Sequence, residues 1–199
     1  MSHYFETPTA AGPQFNLTLR LWDRTVELVS APGVFSGRRL DPGTAVLLRT
    51  CPPPTGPGRL LDLGCGIGPI ALALASHCPQ AEIAAIDVNR RAVELTALNA
   101  ARLGLSDRLW AGPPEAVDPT WRFDQIWSNP PIRIGKAALR QLLTDWLGRL
   151  TDQGQAFLVV ARHLGADSLA AWLAGQGWDC QRLASAKGYR VLRLARPES

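Results

Sequence analysis

From Arg59 onward the chain alternates short apolar runs with amphipathic segments, and no other feature restricts its fold as tightly. Residues 60–63, 83–87, 109–111, 123–128 and 155–161 read as strands. Segments 69–78, 90–103, 136–150 and 167–176 carry apolar residues at helical spacing, with leucines at 139, 142, 143, 147 and 150 in the third of them. Asn89 predicts a cap for the 90–103 helix and Gly104 its end. Residues 178–183 and 190–195 predict a closing hairpin-like pair. Strands that alternate with helices imply right-handed βαβ crossovers, hence a doubly wound, mostly parallel α/β sheet with helices on both faces.

Ahead of this unit the pattern changes. Phe15, Leu17, Leu19 and Leu21 alternate with Asn16, Thr18 and Arg20 as in a half-buried strand, and residues 26–29 return as its hairpin partner. Asp41 is a good helix cap and Pro42 suits the first helical position, so a short helix is predicted through Arg49. The Pro- and Gly-rich run 51–58 divides a hairpin-and-helix appendage, residues 1–58, from a main domain, residues 59–199.

The longest apolar runs, 70–75 and 156–161, are far too short to span a bilayer. Met1-Ser2-His3-Tyr4-Phe5-Glu6 lacks the basic start and apolar core of an export signal, so a cytoplasmic protein without membrane contact is expected. Cys51, Cys65, Cys78 and Cys180 form no C-x-x-C pair and have no histidines at zinc-ligand spacing; they read as reduced packing residues, and no metal site is expected. Nineteen arginines against two lysines contribute to a net charge of +4. Arginine pairs bidentately with phosphate, which suits an RNA partner, while a dispersed excess of charge also serves solubility alone; both readings stand at this point.

The run Asp62-Leu63-Gly64-Cys65-Gly66-Ile67-Gly68 lies where a strand should turn into a helix, the place at which doubly wound sheets bind ligands. A dinucleotide fingerprint would need Gly or Ala at position 69, which is Pro69, and no Gly-Lys-Ser/Thr follows for a triphosphate loop. Asp87 ends the next strand nineteen residues after Gly68, where an acid can accept from two ribose hydroxyls. The LLDLGCGIG stretch resembles the first motif of class I S-adenosylmethionine (SAM) methyltransferases. That resemblance implies SAM as cofactor, with Gly64, Cys65, Gly66 and Gly68 behind its methionine and ribose portions and Asp62 at its amine, directly or through water. It implies a Rossmann-like sheet of seven strands with an antiparallel last strand. The adenine contact stays unassigned, because 111–115 reads Ala-Gly-Pro-Pro-Glu where many relatives place an acid just past the third strand.

Ser128-Asn129-Pro130-Pro131 follows the 123–128 strand. Each proline fixes its own φ and removes an amide donor, leaving a stiff loop that offers the Asn129 side-chain oxygen and the Pro130 carbonyl as acceptors. An amine held by both hydrogens presents its lone pair to an electrophile, so this is catalysis by positioning. Asn-Pro-Pro followed by an aromatic is motif IV of N-methyltransferases acting on nucleobase amines or glutamine amides; Ile132 replaces the aromatic and with it a stacking platform. Asn129, Pro130, Pro131 and Ile132 are thus the candidate catalytic residues, and Asn129 also counts among those lining the cofactor.

The longer match, Ser128 to Arg133 with Gly135, resembles the small-domain methyltransferases related to the bacterial small-subunit rRNA guanine methyltransferase. Gly33-Val34-Phe35-Ser36, Leu40-Asp41-Pro42-Gly43-Thr44 and Lys187-Gly188-Tyr189-Arg190-Val191 extend the likeness over nearly the whole chain. It implies methylation of a guanine exocyclic amine in rRNA. Phe35 and Ser36 would line the substrate side, with Arg133 and Lys136 beside a phosphate. In that rRNA enzyme the catalytic unit follows a second, degenerate methyltransferase-like domain, which this sequence does not contain. A small-molecule amine, a protein amide, a non-catalytic SAM-binding module and an NAD-dependent oxidoreductase are the competing readings.

Overall fold

The computed structural model describes residues 13–34 and 39–197. An antiparallel hairpin of β1 (Phe15–Leu21) and β2 (Arg24–Ser30) precedes α1 (Pro42–Thr50). In β1, Leu17, Leu19 and Leu21 are buried while the polar residues between them face solvent, as the period of two requires. There follow β3 (Gly58–Leu63), α2 (Pro69–His77), β4 (Ala81–Ile86), α3 (Arg90–Arg102), β5 (Leu109–Gly112) and β6 (Phe123–Ser128). The chain ends with α4 (Lys136–Leu147), β7 (Leu150–Ala161), α5 (Ala166–Gly175), β8 (Asp179–Ala186) and β9 (Tyr189–Ala195).

Seven strands form one sheet in the order β5-β4-β3-β6-β7-β9-β8. Strands β3 to β7 are parallel, and β9 enters antiparallel between β7 and β8. Both faces are covered, which explains why the strands read as nearly continuous apolar runs. Leu60, Ile83, Ala85, Trp127, Val159 and Val191 face a core shared with the hairpin, α1, α2 and α3. Their neighbours Leu61, Ile86, Ile126, Leu158 and Leu192 face α4 and α5.

The boundaries depart most from the sequence reading around residue 150. The helix predicted over 136–150 stops at Leu147, and Leu150 instead opens β7 opposite Phe123. Leu150 is 2% exposed in the same core as Leu139, Leu143 and Leu147, so it continues their apolar spacing after the chain has left the helix. In consequence β7 has 12 residues rather than starting at 155.

The strand order reverses direction between β3 and β6, whose carboxyl ends lie side by side. In open α/β sheets the crevice at such a switch point is where ligands sit.

Candidate functional site

The glycine loop leaves β3 at this crevice. Gly64 and Cys65 both donate their backbone N–H to Ile86 O at 2.9 Å, and Gly68 donates to Cys65 O at 2.9 Å. Gly64, Gly66 and Gly68 have φ of 79°, 58° and 86°, the left-handed region that costs other residues strain. A Cβ on Gly66 would meet nothing within 4 Å, and one on Gly64 would have Pro131 Cδ at 3.8 Å. The loop therefore borders open space with the Asn-Pro-Pro loop facing it. Gly68 is required for packing, because a Cβ there would lie 2.8 Å from Thr96 Cγ2.

Two carboxylates flank the loop. Asp62 is fully buried; Oδ2 accepts from Ala71 N at 2.9 Å, in the first turn of α2, while Oδ1 has no partner among the described residues. Burial pushes its pKa up to about 7, with the charge of Asp87 adding to the rise and the Ala71 N–H opposing it. Asp87 is half-buried and accepts from Gly66 N at 3.0 Å and Asn89 N at 2.9 Å, one on each oxygen, which leaves each oxygen a lone pair. An orphaned buried acceptor, an acid with spare lone pairs and a loop open at Gly64 and Gly66 together fit an amine, two hydroxyls and the body of a nucleoside that carries an amino acid. Cys65 contributes through its backbone. Its Sγ lies 3.6 Å from Thr96 Oγ1, and burial holds the thiol well above its usual range, so it is no nucleophile.

Across the crevice, Ser128 Oγ donates to Leu63 O at 2.6 Å, extending the contact between β3 and β6 beyond the ladder. Asn129 Nδ2 donates to Asp41 Oδ1 at 2.6 Å and to Thr44 Oγ1 at 3.2 Å. Among the described residues nothing donates to its Oδ1. Pro130 O accepts from Ile132 N at 2.8 Å and keeps a second lone pair. Pro131 is exposed, whereas Ile132 is half-buried against the α4 side of the core. Arg133 and Lys136 are exposed at the start of the α4 segment, and Arg162, His163 and Lys187 are exposed at the same edge of the sheet, where Arg162 N donates to Gly188 O at 2.7 Å. Phe35 and Ser36 lie outside the described residues.

The sequence reading missed the residues that hold these loops. Thr96 Oγ1 donates to Gly66 O at 2.9 Å. Asn99 accepts from Val29 N at 2.7 Å and donates to Val29 O at 3.0 Å and Ile67 O at 3.1 Å, so one buried side chain fastens the hairpin to the glycine loop. Two polar residues on the apolar stripe of α3 were the available signal. Asn99→Leu keeps the branching of the side chain and strands three buried backbone groups; it should lower stability by about 3 kcal/mol or more, since each unpaired group costs about 1–3 kcal/mol. Urea unfolding measures this, and a change under about 0.5 kcal/mol, the scatter of surface substitutions, would show that the bridge carries no weight.

Among the described residues no group of three or more His, Cys, Asp or Glu could hold a metal ion, and no helix is long and apolar enough to cross a membrane. A polar groove lined by Asp152, Gln155, Asp179 and Arg193 lies at the other end of β7 and shares no residue with the site.

The model of the methyltransferase small domain family matches residues 25–193. The "uncharacterized protein YbxB" of Bacillus subtilis is 32% identical over 193 residues, covering 96% of each chain. "Ribosomal RNA small subunit methyltransferase C" of Stutzerimonas stutzeri is 35% identical over 196 residues, covering 91% of this chain and 54% of its own. The solved T. thermophilus 16S rRNA N2 G1207 methyltransferase, RsmC, in complex with AdoMet and guanosine, superposes with a TM-score of 0.79 at 26% identity over 96% of this chain and 53% of that one. The chain thus spans about half the length of the rRNA methyltransferases it matches.

Proposed function

Because the chain belongs to the methyltransferase small domain family and is a SAM-dependent methyltransferase, we propose that its acceptor is the exocyclic amine of a guanine in rRNA. The observation that carries this reading is the orientation of Asn129, whose NH₂ is spent on Asp41 and Thr44 while, among the described residues, nothing donates to its Oδ1, and the next residue, Pro130, keeps a carbonyl lone pair. Two fixed acceptors suit a group with two hydrogens to give. SAM supplies a methyl group on a sulfonium, an electrophile strong enough that the acceptor needs orientation rather than activation. Asn129 and Pro130 hold the amine by both hydrogens, Pro131 stiffens the loop, and the proton released on methylation passes to water.

On the cofactor side, Asp62 Oδ1 is placed for the amine and Asp87 for the ribose hydroxyls, with the glycine loop between them. Ile132 covers a base face by apolar contact. The residues 1–58, ahead of the main domain 59–199, bring Asp41 and Thr44 to the site and are the natural source of substrate choice. Support for RNA comes from Arg133, Lys136, Arg162 and Lys187, exposed along the same edge of the sheet, where they can meet phosphates. A cytoplasmic location goes with that substrate.

Incubating the protein with isotopically labelled SAM and 16S rRNA, either free or in 30S particles, tests the assignment. Nucleoside mass spectrometry should find labelled N2-methylguanosine. Label in a different nucleoside, or none in RNA, would refute the guanine assignment.

A further inference from the structure

Resting on the reading of Asn129 as the amine acceptor, we propose that Asp41 is a positioning residue that fixes which end of the Asn129 amide faces the substrate. An asparagine amide has two ends of nearly equal shape and opposite hydrogen-bonding character. A site for an amine needs the oxygen end, so something must break the degeneracy. An ionised carboxylate only accepts, and Asp41 Oδ1 lies 2.6 Å from the Asn129 amide. The end that meets it must therefore be the NH₂. The reversed amide would set a carbonyl against a carboxylate and turn two donors toward the incoming amine.

Asp41 is itself held in place. Its Oδ1 also accepts from Thr44 N at 3.0 Å as the cap of α1, and α1 lies against β7 and β9. Gly43 has no room for a Cβ, which would lie 2.9 Å from both Asp41 Oδ1 and Tyr189 Cε1. Thus the Asp-Pro-Gly-Thr turn, the Asn-Pro-Pro loop and the start of β9 converge, and among the described residues Asp41 supplies the group that discriminates between the ends of the Asn129 amide. The result is a pair of acceptors, Asn129 Oδ1 and Pro130 O, left for the substrate. It selects for a group that gives hydrogens and rejects a ring nitrogen or carbonyl that has none.

The informative variant is Asp41→Ser, because serine caps a helix as well as aspartate does, while its hydroxyl both gives and accepts hydrogen bonds and so cannot tell the ends of the Asn129 amide apart. We expect Asp41→Ser to keep the wild-type melting temperature and SAM Kd while kcat falls by at least about tenfold, the cost of a mispositioned acceptor. Asp41→Ser combined with Asn129→Ala should be no slower than Asn129→Ala alone, since one residue acts through the other. Thr44→Val, which removes the second acceptor only, should lose less in the same direction. Independently of any substrate, the side-chain NH₂ signals of ¹⁵N-labelled Asn129, assigned by their absence in Asn129→Ala, should be protected from exchange and shift on Asp41→Ser substitution.

Wild-type kcat in Asp41→Ser, losses that simply add in the double variant, or Asn129 amide signals indifferent to residue 41 would each overturn the proposal. If the wild-type protein methylates no RNA, it is the substrate reading that fails, and the amide signals still decide the role of Asp41.

Discussion

Asn129→Ala should lower kcat by roughly 10²–10³-fold, the loss seen when one oriented hydrogen-bonding group is removed from a polar catalytic site. Affinity for SAM should change less than about twofold, because the glycine loop and the two acids are untouched. The acceptor amine would keep one anchor, the Pro130 carbonyl, and would be free to turn its lone pair away from the methyl group. Substrate KM should rise only modestly, since a single hydrogen bond contributes about 1 kcal/mol to binding. Single-turnover methyl transfer with saturating RNA and an equilibrium SAM titration separate these quantities. A variant that transfers methyl groups at the wild-type rate would show that the loop is structural. A variant that cannot bind SAM would show that Asn129 belongs to the cofactor and not to the acceptor.

Asp62→Asn is the second large effect, and it acts in opposite directions on binding and on stability. The wild-type carboxyl titrates near 7 in the folded protein because it is buried. An unfolded aspartate titrates near 3.9. The folded state therefore binds the proton more tightly, so the stability this group contributes is fully present below about pH 4 and is lost as pH rises through 7, by on the order of 4 kcal/mol. An asparagine side chain carries no such loss, and the variant should be more stable than the wild type at pH 8 while matching it near pH 4. Affinity should move the other way. The substituted amide would accept from Ala71 N with its oxygen and so point its NH₂ where the free Oδ1 of Asp62 now lies.

A donor facing the SAM amine should weaken binding by about 10–100-fold, the worth of one hydrogen bond to a charged group. For the same reason wild-type affinity should tighten as pH rises through 7, and below that pH binding should release a proton. Calorimetry in buffers of different ionisation enthalpy reads both. A Kd that is flat from pH 5.5 to 8 with no proton release would refute the pairing.

The parallel architecture was legible because its signal is local: each strand is apolar on both faces, and each helix repeats its stripe. Leu150 shows the limit of that signal, for it keeps the helical spacing of Leu139, Leu143 and Leu147 but belongs to the next strand. The glycine loop and the Asn-Pro-Pro loop were visible for the same reason, since glycines at 64, 66 and 68 and prolines at 130 and 131 constrain their own backbones. What escaped was pairing at a distance. Asp41 read only as a helix cap, a preference set by its immediate neighbours, whereas its bond to Asn129 joins positions 88 residues apart. Asn99 interrupts the apolar stripe of α3, and its partners, Val29 and Ile67, lie 70 and 32 residues away.

The order in which the chain is synthesised gives the convergence of Asp41, Asn129 and Tyr189 a temporal meaning. A nascent polypeptide that has emerged through β7 already holds the glycine loop, both acids and the Asn-Pro-Pro loop. It does not yet hold β9, which slots between β7 and β8 and brings Tyr189 against Gly43 beside Asp41. The glycine loop, both acids and the Asn-Pro-Pro loop are thus translated before the strand that braces them, and a copy stopped after β7 is a collection of correct parts without their brace.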